Sequence, residues 1–279
     1  MATQEQKTWF ITGVSGGLGK AIAVEAANNG YVVFGTLRKR EQVDEFDKLV
    51  PGKTFGVLLD VNKHDDIQTA IDTIIDKTNR IDILVNNAGY GLFGAIEEVS
   101  MEEARQQMET NFFGALAVTQ KVLPIMRQQR SGNIVQISSM AGMNANPGVG
   151  LYNASKFALE GYSEALSKEV LPLNIFVTIV EPGPFRTEWA GPSSKRAEKL
   201  IEDYKETAHV VINRINGYSG QQPGDPEKAA KAIIKAVTSE KPPLRLPLGE
   251  AAVNGILDKL KSVEQNINDW KEVSLNTSF

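Results

Sequence analysis

The 279-residue sequence predicts an α/β fold in which helices cover both faces of a doubly wound, parallel sheet of about seven strands. Short apolar runs alternate with segments of helical spacing along the chain, which is typical of strand–helix–strand units. The runs are almost wholly apolar, as are strands that are buried on both faces. A glycine-rich turn separates the first run from the first helical segment. We expect one domain over residues 1–279.

Each element is predicted from its own pattern. Apolar and β-branched runs predict strands at residues 9–11, 31–34, 55–59, 81–85, 133–137 and 175–180, with a last strand at 244–246. Apolar residues at helical spacing predict helices at residues 19–29, 65–78, 101–129, 152–171 and 227–238.

Two segments depart from this alternation. Residues 187–222 hold no clear strand, and the segment 195–216 has amphipathic spacing, so we expect an inserted helical flap there. A final helix is predicted at residues 251–270. The apolar residues that its spacing places near one face are Val253, Leu257, Leu260, Val263 or Ile267, and Trp270.

Composition excludes several classes of protein. With 34 acidic and 30 basic side chains the net charge is −4, and no basic stripe is available for a nucleic acid. No apolar run approaches the ~20 residues that cross a bilayer, and residues 1–7 are polar, so we expect no membrane span and no signal peptide. The absence of cysteine excludes disulfides and thiolate metal sites. We expect a soluble cytoplasmic protein without a metal site.

The glycine-rich turn Thr12–Gly19 is the first candidate site. Glycines there let backbone N–H groups approach a phosphate at a helix N-terminus. A P-loop is excluded, because Val14 and Ala21 stand where that motif needs Gly and Ser or Thr. Two interpretations stay open, a dinucleotide site with the spacing G-x-x-x-G-x-G and a hydrolase elbow around Ser15. The hydrolase would need His64 or His209 as its base.

The turn after the second strand bears on which dinucleotide is bound. An NAD site usually offers a carboxylate there for the ribose 2′-hydroxyl. Here Arg38 follows the strand, and no acidic residue comes before Glu41. Arg38 suits a 2′-phosphate, and Ser15 offers a further hydroxyl donor. This favours NADP over NAD; the alternative is an ordinary solvated turn.

A second candidate site combines Tyr152 and Lys156 with Ser139. The spacing of four puts Tyr152 and Lys156 one helical turn apart, where an ammonium would lower the phenol pKa from ~10. Such a phenol can exchange a proton with a carbonyl or alcohol oxygen. Ser139 follows a predicted strand, on the side of an open sheet where ligands bind, and its hydroxyl could polarise a carbonyl. Simple loop capping is the alternative for Ser138 and Ser139.

These motifs, in this order, resemble the single-domain, roughly 250-residue type of the short-chain dehydrogenase/reductase family. The resemblance covers nearly the whole chain and implies a Rossmann-like sheet. Its motifs are the glycine loop Thr12–Gly19, Asp60, the N-N-A-G sequence at residues 86–89, Asn111, Ser139, Tyr152 with Lys156, and Pro182-Gly183 followed by Thr187.

The resemblance implies roles for these positions. Asp60 would contact the adenine ring, residues 86–89 would line the ribose side, and residues 182–187 would fix the nicotinamide carboxamide. The implied cofactor-binding residues are Gly13, Ser15, Gly16, Gly17, Leu18, Gly19, Arg38, Asp60, Val61, Asn87, Ala88, Gly89, Tyr152, Lys156, Pro182, Gly183 and Thr187. The implied catalytic residues are Asn111, Ser139, Tyr152 and Lys156.

The implied activity is the NADPH-dependent reduction of a ketone, or the reverse oxidation of a secondary alcohol. Tyr152 would protonate the oxygen, Ser139 would hydrogen-bond it, and Lys156 would lower the phenol pKa and hold the ribose. Asn111 would anchor a proton-relaying water. The alternatives are a non-catalytic NADP-binding sensor on the same fold and the Ser15 hydrolase.

The substrate is predicted only as a small-molecule ketone or alcohol. In the family, residues 187–222 correspond to the substrate lid. Apolar pocket walls are expected from Tyr90, Met140, Met143, Val149, Phe185 and Trp189. Residues 152–161 are similar to the branch that holds 17-beta-hydroxysteroid and retinol dehydrogenases. The family also implies a homo-dimer or homo-tetramer, formed through the helices predicted at 101–129 and 152–171.

Overall fold

A seven-stranded parallel sheet forms the centre of the computed structural model, which describes residues 6–191 and 193–279. The strands are β1 (Thr8–Ile11), β2 (Val32–Leu37), β3 (Thr54–Leu58), β4 (Ile83–Asn86), β5 (Leu92–Phe93), β6 (Gly132–Ile137), β7 (Ile175–Pro182), β8 (Lys195–Arg196) and β9 (Arg245–Leu248). Their order in the main sheet is β3-β2-β1-β4-β6-β7-β9, and β5 pairs separately with β8. The predicted doubly wound α/β fold is confirmed.

Helices cover both faces of this sheet. They are α1 (Gly17–Asn28), α2 (Arg40–Phe46), α3 (His64–Thr78), α4 (Met101–Met108), α5 (Gly114–Gln129), α6 (Gly150–Val170), α7 (Ala208–Gly217), α8 (Pro226–Val237), α9 (Glu250–Asp269) and α10 (Lys271–Leu275). Among the described residues, no helix is long and apolar enough to cross a membrane.

The alternation of side chains along β1 explains the two cores. Trp9 and Ile11 point to the face that α1 and α8 cover, whereas Phe10 points to the face of α3, α5 and α6. All three are fully buried. Because both faces of the sheet are covered, its strands read as unbroken apolar runs.

Three predicted strands end two or more residues later in the structure. β2 continues from residue 34 to Leu37, where Gly35 leaves room for the side chains of Val14 and Phe46. β7 continues to Pro182, two residues beyond the predicted end. The last strand lies at Arg245–Leu248, one residue later than predicted at its start, because it pairs with β7 from Ile179 onward.

The flap differs from the prediction in two ways. It contains a strand, β8, which pairs in parallel with β5. The segment 195–216 is therefore not one amphipathic helix: after β8 come a 3-10 turn at Glu202–Tyr204 and then α7. The backbone bonds of Lys195 and Ala197 to the β5 segment account for the difference, since a paired strand has no helical bonds.

The helix predicted at 101–129 is also interrupted. It divides into α4 and α5 around a π-helical segment, Glu109–Phe113. A π turn holds one residue more than an α turn and occurs often at functional sites.

The final helix begins at Glu250 and packs on the sheet through Ala252 and Ile256. Its predicted apolar residues lie instead at the surface. These exposed side chains are Val253, Leu257, Leu260, Val263, Ile267 and Trp270.

Candidate active site

The strand order reverses at β1, whose neighbours β2 and β4 lie on opposite sides of it. Such a reversal opens a crevice at the carboxyl ends of the strands, where open α/β sheets bind ligands. The loop Thr12–Gly19 leaves β1 at this crevice. Gly13 and Gly17 adopt φ angles of 72° and 56°, a backbone region that favours glycine.

Asn87 fastens the glycine loop to the end of β4. Its amide nitrogen donates to the carbonyl oxygens of Thr12 at 3.0 Å and Gly13 at 2.8 Å. The Thr12 hydroxyl in turn accepts from the backbone N–H groups of Asn87 and Ala88, both at 3.0 Å. Gly19 lies so close to this junction that a Cβ would overlap the Asn87 amide. The loop is thus held rigidly between two strand ends.

The chemistry of this loop fits the phosphates of a dinucleotide. Gly16 is the N-cap of α1, and within the described residues no side chain caps that helix. Its first N–H groups are therefore available to an anion at the positive end of the helix dipole. The residues of the predicted loop thus form a cradle that a phosphate fits.

The residues predicted for the adenosine end follow β2 and β3 at the same edge of the sheet. Arg38 is exposed directly after β2. Asp60 is half-buried after β3, and its Oδ1 accepts from the Asn62 N–H at 3.1 Å. Val61 is buried against Gly114. Because β2 and β3 are paired in parallel, these positions come together at one end of the crevice.

Tyr152 and Lys156 lie buried on α6, one turn apart. Lys156 Nζ donates to the carbonyl oxygen of Ile137 at 2.7 Å and lies 5.8 Å from the centroid of the Tyr152 ring. Ser139 follows β6, its hydroxyl accepts from the Ala141 N–H at 3.1 Å, and it lies close enough to the Tyr152 phenol to affect its pKa. The structure therefore brings the three predicted residues together.

The spacing predicts that Lys156 lowers the pKa of Tyr152, but in the structure this pKa is raised. Burial raises the pKa of Tyr152 to about 12, and only the neighbouring Ser139 hydroxyl opposes this. Burial also lowers the pKa of Lys156 to about 8. The expected lowering is not seen because the ammonium is bonded to Ile137 while the phenol is shielded from water.

Asn111 lies within the π-helical segment and is buried. Its Oδ1 accepts from the Tyr90 N–H at 3.0 Å, and its Nδ2 donates to the Tyr90 carbonyl at 3.0 Å and to Ser155 Oγ at 3.1 Å. These bonds fix the amide between the segment after β4 and α6. A Cβ on Gly89 would lie 3.1 Å from Asn111 Oδ1 and 3.8 Å from Lys156 Nζ. Gly89 thus leaves both side chains open to the crevice.

The segment after β7 closes the other side of the crevice. The Ser139 hydroxyl lies 3.5 Å from the Pro182 carbonyl oxygen, and the Gly183 N–H donates to Leu248 O at 2.9 Å. Thr187 approaches Gly17, at 3.4 Å from where a Cβ would lie. The start of the flap therefore touches the glycine loop.

Trp189 covers Tyr152. The two ring centroids are 5.0 Å apart, and Phe93 lies 5.4 Å from Trp189 on another side. Val149 is buried in the same apolar cluster, with Ile212 from α7 packed against it. Sequence reasoning missed Phe93 and Ile212; the short apolar run at residues 92–93 was the available signal for the first.

The other predicted pocket residues lie elsewhere. Phe185 packs against the core on the α1 and α8 face and pairs with Gly224, so it does not join the cluster around Tyr152. The sulfur of Met143 lies 3.4 Å from Arg245, and Met140 reaches Gly255 on α9. Tyr90 remains at the rim, with the Lys195 ammonium 5.1 Å from its ring centroid.

The two histidines are bonded to carboxylates. His64 Nε2 lies 3.2 Å from Glu109, and His209 Nε2 lies 2.7 Å from Glu98. None of the described hydrogen bonds joins Ser15 to either histidine. The hydrolase interpretation thus lacks its base.

Residues 7–198 match the family model described as short chain dehydrogenase. An oxidoreductase of Botryotinia fuckeliana is 38% identical over 270 residues, which cover 96% of this chain and 98% of that protein. A 3-ketodihydrosphingosine reductase of Bacteroides thetaiotaomicron is 37% identical and covers 86% of this chain and 87% of its own length. Retinol dehydrogenase 8 of Homo sapiens is 34% identical, with coverages of 86% and 80%.

Solved structures with the same fold point to the same family. A short-chain dehydrogenase from Streptomyces avermitilis superposes with a TM-score of 0.93 at 39% identity, covering 99% of this chain and 100% of that one. ElxO, solved with NADP bound, has a TM-score of 0.74 at 25% identity, with coverages of 89% and 99%. This chain belongs to the short-chain dehydrogenase family, and it is an oxidoreductase of that family.

Proposed function

We propose that the protein is an NADPH-dependent carbonyl reductase that converts a ketone into a secondary alcohol, or catalyses the reverse reaction. One observation carries the proposal: a buried phenol, Tyr152, lies beside Ser139 just past the end of β6 and one turn from Lys156. A sensor would need only the glycine loop, whereas this cluster has the groups that proton transfer requires.

Proton transfer would proceed from this chain's own residues. When bound, the reduced nicotinamide supplies a hydride to the carbonyl carbon. Tyr152 Oη donates a proton to the carbonyl oxygen, and the Ser139 hydroxyl stabilises the negative charge that develops there. A phenol with a raised pKa is protonated at neutral pH, as a general acid must be. Lys156 and Asn111 would hold the ribose and a relaying water.

The glycine loop and Arg38 would bind the cofactor. The N-terminus of α1 would hold the pyrophosphate, and Asp60 with Val61 would flank the adenine. Arg38 would pair with the 2′-phosphate through charge-assisted hydrogen bonds, which supports NADP over NAD. Asn87, Ala88 and Gly89 would line the ribose side, and Pro182, Gly183 and Thr187 would fix the carboxamide.

The substrate would be a ketone with a bulky apolar group. The support is the apolar cluster over Tyr152, built from Phe93, Val149 and Trp189. Two relatives whose names refer to long apolar molecules, dihydrosphingosine and retinol, agree with this size. The flap would close over the bound ketone and exclude water.

The proposed assembly is a homo-dimer or homo-tetramer formed through α5 and α6. Phe113, directly before α5, and Phe157 on α6 are exposed, and a groove of about 260 Å³ runs between the helices beside Leu116 and Leu123. Such apolar surface suits a second copy of the chain. Light scattering of the purified protein would then give two or four chains, and a monomer would contradict the proposed assembly.

Replacement of Tyr152 tests the proposed function. Tyr152→Phe removes the acidic proton and keeps the ring, so we expect ketone reduction to fall by at least about 10²-fold. Binding of NADPH, followed by nicotinamide fluorescence, should stay within a few-fold of the wild type. Near-native turnover in this variant would show that the acid is another group, and turnover of no ketone by the wild type would favour the sensor.

A further inference from the structure

A cluster of charged side chains lies behind Lys156 and is not explained by the proposed reaction. Arg245 on β9 donates to Glu181 on β7 at 2.8 Å and to Glu164 on α6 at 3.0 Å. It also donates to Glu160, on the turn of α6 that follows Lys156. The side chains of Glu160 and Glu181 are only 5% and 1% exposed. Three elements therefore bring one guanidinium and three carboxylates together.

The charges of this cluster do not balance by themselves. Arg245 neutralises one of the two buried carboxylates, Glu160 and Glu181. Glu164 is 45% exposed and pairs with Lys168 at 3.1 Å on the surface. Burial raises the pKa of both Glu160 and Glu181, so a further positive charge nearby would favour the ionised form of Glu160. Lys156, buried one turn from Glu160 and attracted to it, supplies that charge.

Among the described residues, few other charged groups lie near Lys156. On the same helix it faces Tyr152 and Glu160, and β6 contributes the Ile137 carbonyl oxygen. Gly89 and Asn111, which face it from the segment after β4 and the π-helical segment, do not titrate. Arg245 and Glu181 lie beyond Glu160. Burial lowers the pKa of Lys156 to about 8, and the charge of Glu160 opposes this change.

We propose that Glu160, held in place by Arg245, is a positioning residue that keeps Lys156 protonated. Arg245 orients the carboxylate and links the catalytic helix to β9. The Ser138 hydroxyl lies near Glu160 beside Gly142, just past the end of β6. The role in turnover rests on the proposed function, but the protonation of Lys156 does not and can be measured without substrate.

The expected consequence for turnover has a definite sign. If a protonated Lys156 is needed for reduction, the rate falls as the pH rises through its pKa. Glu160→Gln removes the opposing negative charge, so the alkaline fall in kcat should move to lower pH. KM for the ketone should change little, because Glu160 lies behind Lys156 and away from the crevice.

The test is an NMR titration of the unliganded protein labelled with ¹⁵N-lysine. Lys156→Arg assigns the Lys156 signal by its loss. In Glu160→Gln we expect the titration midpoint of Lys156 to fall by about one pH unit. Glu160→Asp, which keeps the charge, should stay within a few tenths of the wild type. Glu181→Gln is the matched control: it is buried on the same guanidinium, and its shift should be less than half as large.

An unchanged midpoint in Glu160→Gln, or an equal fall in Glu181→Gln, would overturn the proposal. Thermal unfolding of each variant checks that it folds. If Glu160→Gln does not fold, Glu160→Asp still tests the proposal, since a Lys156 midpoint displaced by a full pH unit in that variant would contradict it. A shifted titration in a protein that reduces no ketone would leave this inference standing and contradict the proposed function instead.

Discussion

The indole of Trp189 lies 5.0 Å, centroid to centroid, from the phenol ring of Tyr152, so that the first turn of the flap covers the proposed acid. Tyr152 is only 6% exposed as a result of this and its other apolar neighbours. Access of a ketone to the phenol thus depends on where the flap places one side chain.

Removal of the Trp189 indole should change substrate selection. In Trp189→Ala the pocket gains space, so the ratio of kcat/KM for a bulky ketone over a small ketone should rise by about tenfold, or ~1.4 kcal/mol. The pKa of Tyr152, which burial raises, should fall, and the pH profile of reduction would report it. Trp270→Ala, at the exposed C-terminal end of α9, is the control. An unchanged ratio would mean that Trp189 does not border the bound ketone.

The flap is held to the body of the protein by Glu98. Its Oε1 accepts from the Ile201 N–H at 2.7 Å and bonds His209 at 2.7 Å, and its Oε2 accepts from the Ala95 N–H at 2.7 Å. Burial raises the pKa of Glu98, but these hydrogen bonds and the charge of His209 outweigh that effect, and the net pKa is lowered. A carboxylate with a lowered pKa stabilises the folded flap above its unfolded pKa of about 4.5.

Glu98→Gln should release the flap at neutral pH. An amide has one acceptor oxygen, so its NH₂ would face a backbone N–H that Glu98 now satisfies. We expect faster limited proteolysis within residues 187–222, and in the wild type the same acceleration as the pH falls below about 4.5. Glu97→Gln, which alters only the exposed bond to Tyr204, should change the proteolysis rate less. Equal rates in the two variants would contradict the anchoring role.

Arg38 should decide between the two dinucleotides. Arg38→Asp replaces the partner of a 2′-phosphate with a carboxylate that repels it and can accept from a ribose hydroxyl. We expect the preference for NADPH to reverse toward NADH, a change of several kcal/mol when the lost bond and the added repulsion are combined. Arg40→Asp, at the exposed first residue of α2, should keep the native preference. Equal use of both cofactors by the wild type would mean that Arg38 lies in a solvated turn and does not bind the 2′-phosphate.

The junction of the glycine loop and Asn87 should tolerate no side chain at residue 19. Gly19→Ala would place a methyl group against the Asn87 amide, and we expect a loss of roughly 1–3 kcal/mol in the free energy of unfolding. NADPH affinity should fall with it. Gly161→Ala on α6 is the control: no described atom lies within 4 Å of its Cβ, so about 1 kcal/mol of gain is expected. Chemical denaturation measures both.

The sequence predicts the main sheet well because its central strands are buried on both faces. Unbroken apolar runs such as Trp9–Ile11 leave few alternatives. The flap is harder to predict because its two-residue strand depends on a backbone partner about a hundred residues away, and Lys195 and Arg196 carry no strand pattern. Phe185 shows the same limit within the site, since whether an apolar side chain lines a pocket or a core is decided by packing.

Electrostatic properties are predicted least well. The spacing of Tyr152 and Lys156 places the two groups correctly on α6. It does not reveal that Ile137 binds the ammonium, nor that Glu160 and Arg245 lie behind it. A pKa depends on burial and on residues from several strands, none of which a local motif contains.

The π-helical segment Glu109–Phe113 changes how the long helix must be aligned with other sequences. One additional residue in a turn rotates everything after it by about 100° relative to an uninterrupted α-helix. A deletion of a single residue there would restore regular winding and turn Asn111 away from Tyr90, while every residue of α5 kept its identity. Relatives that lack this extra residue would therefore present a different face of the helix after this point, and would not merely be one residue shorter.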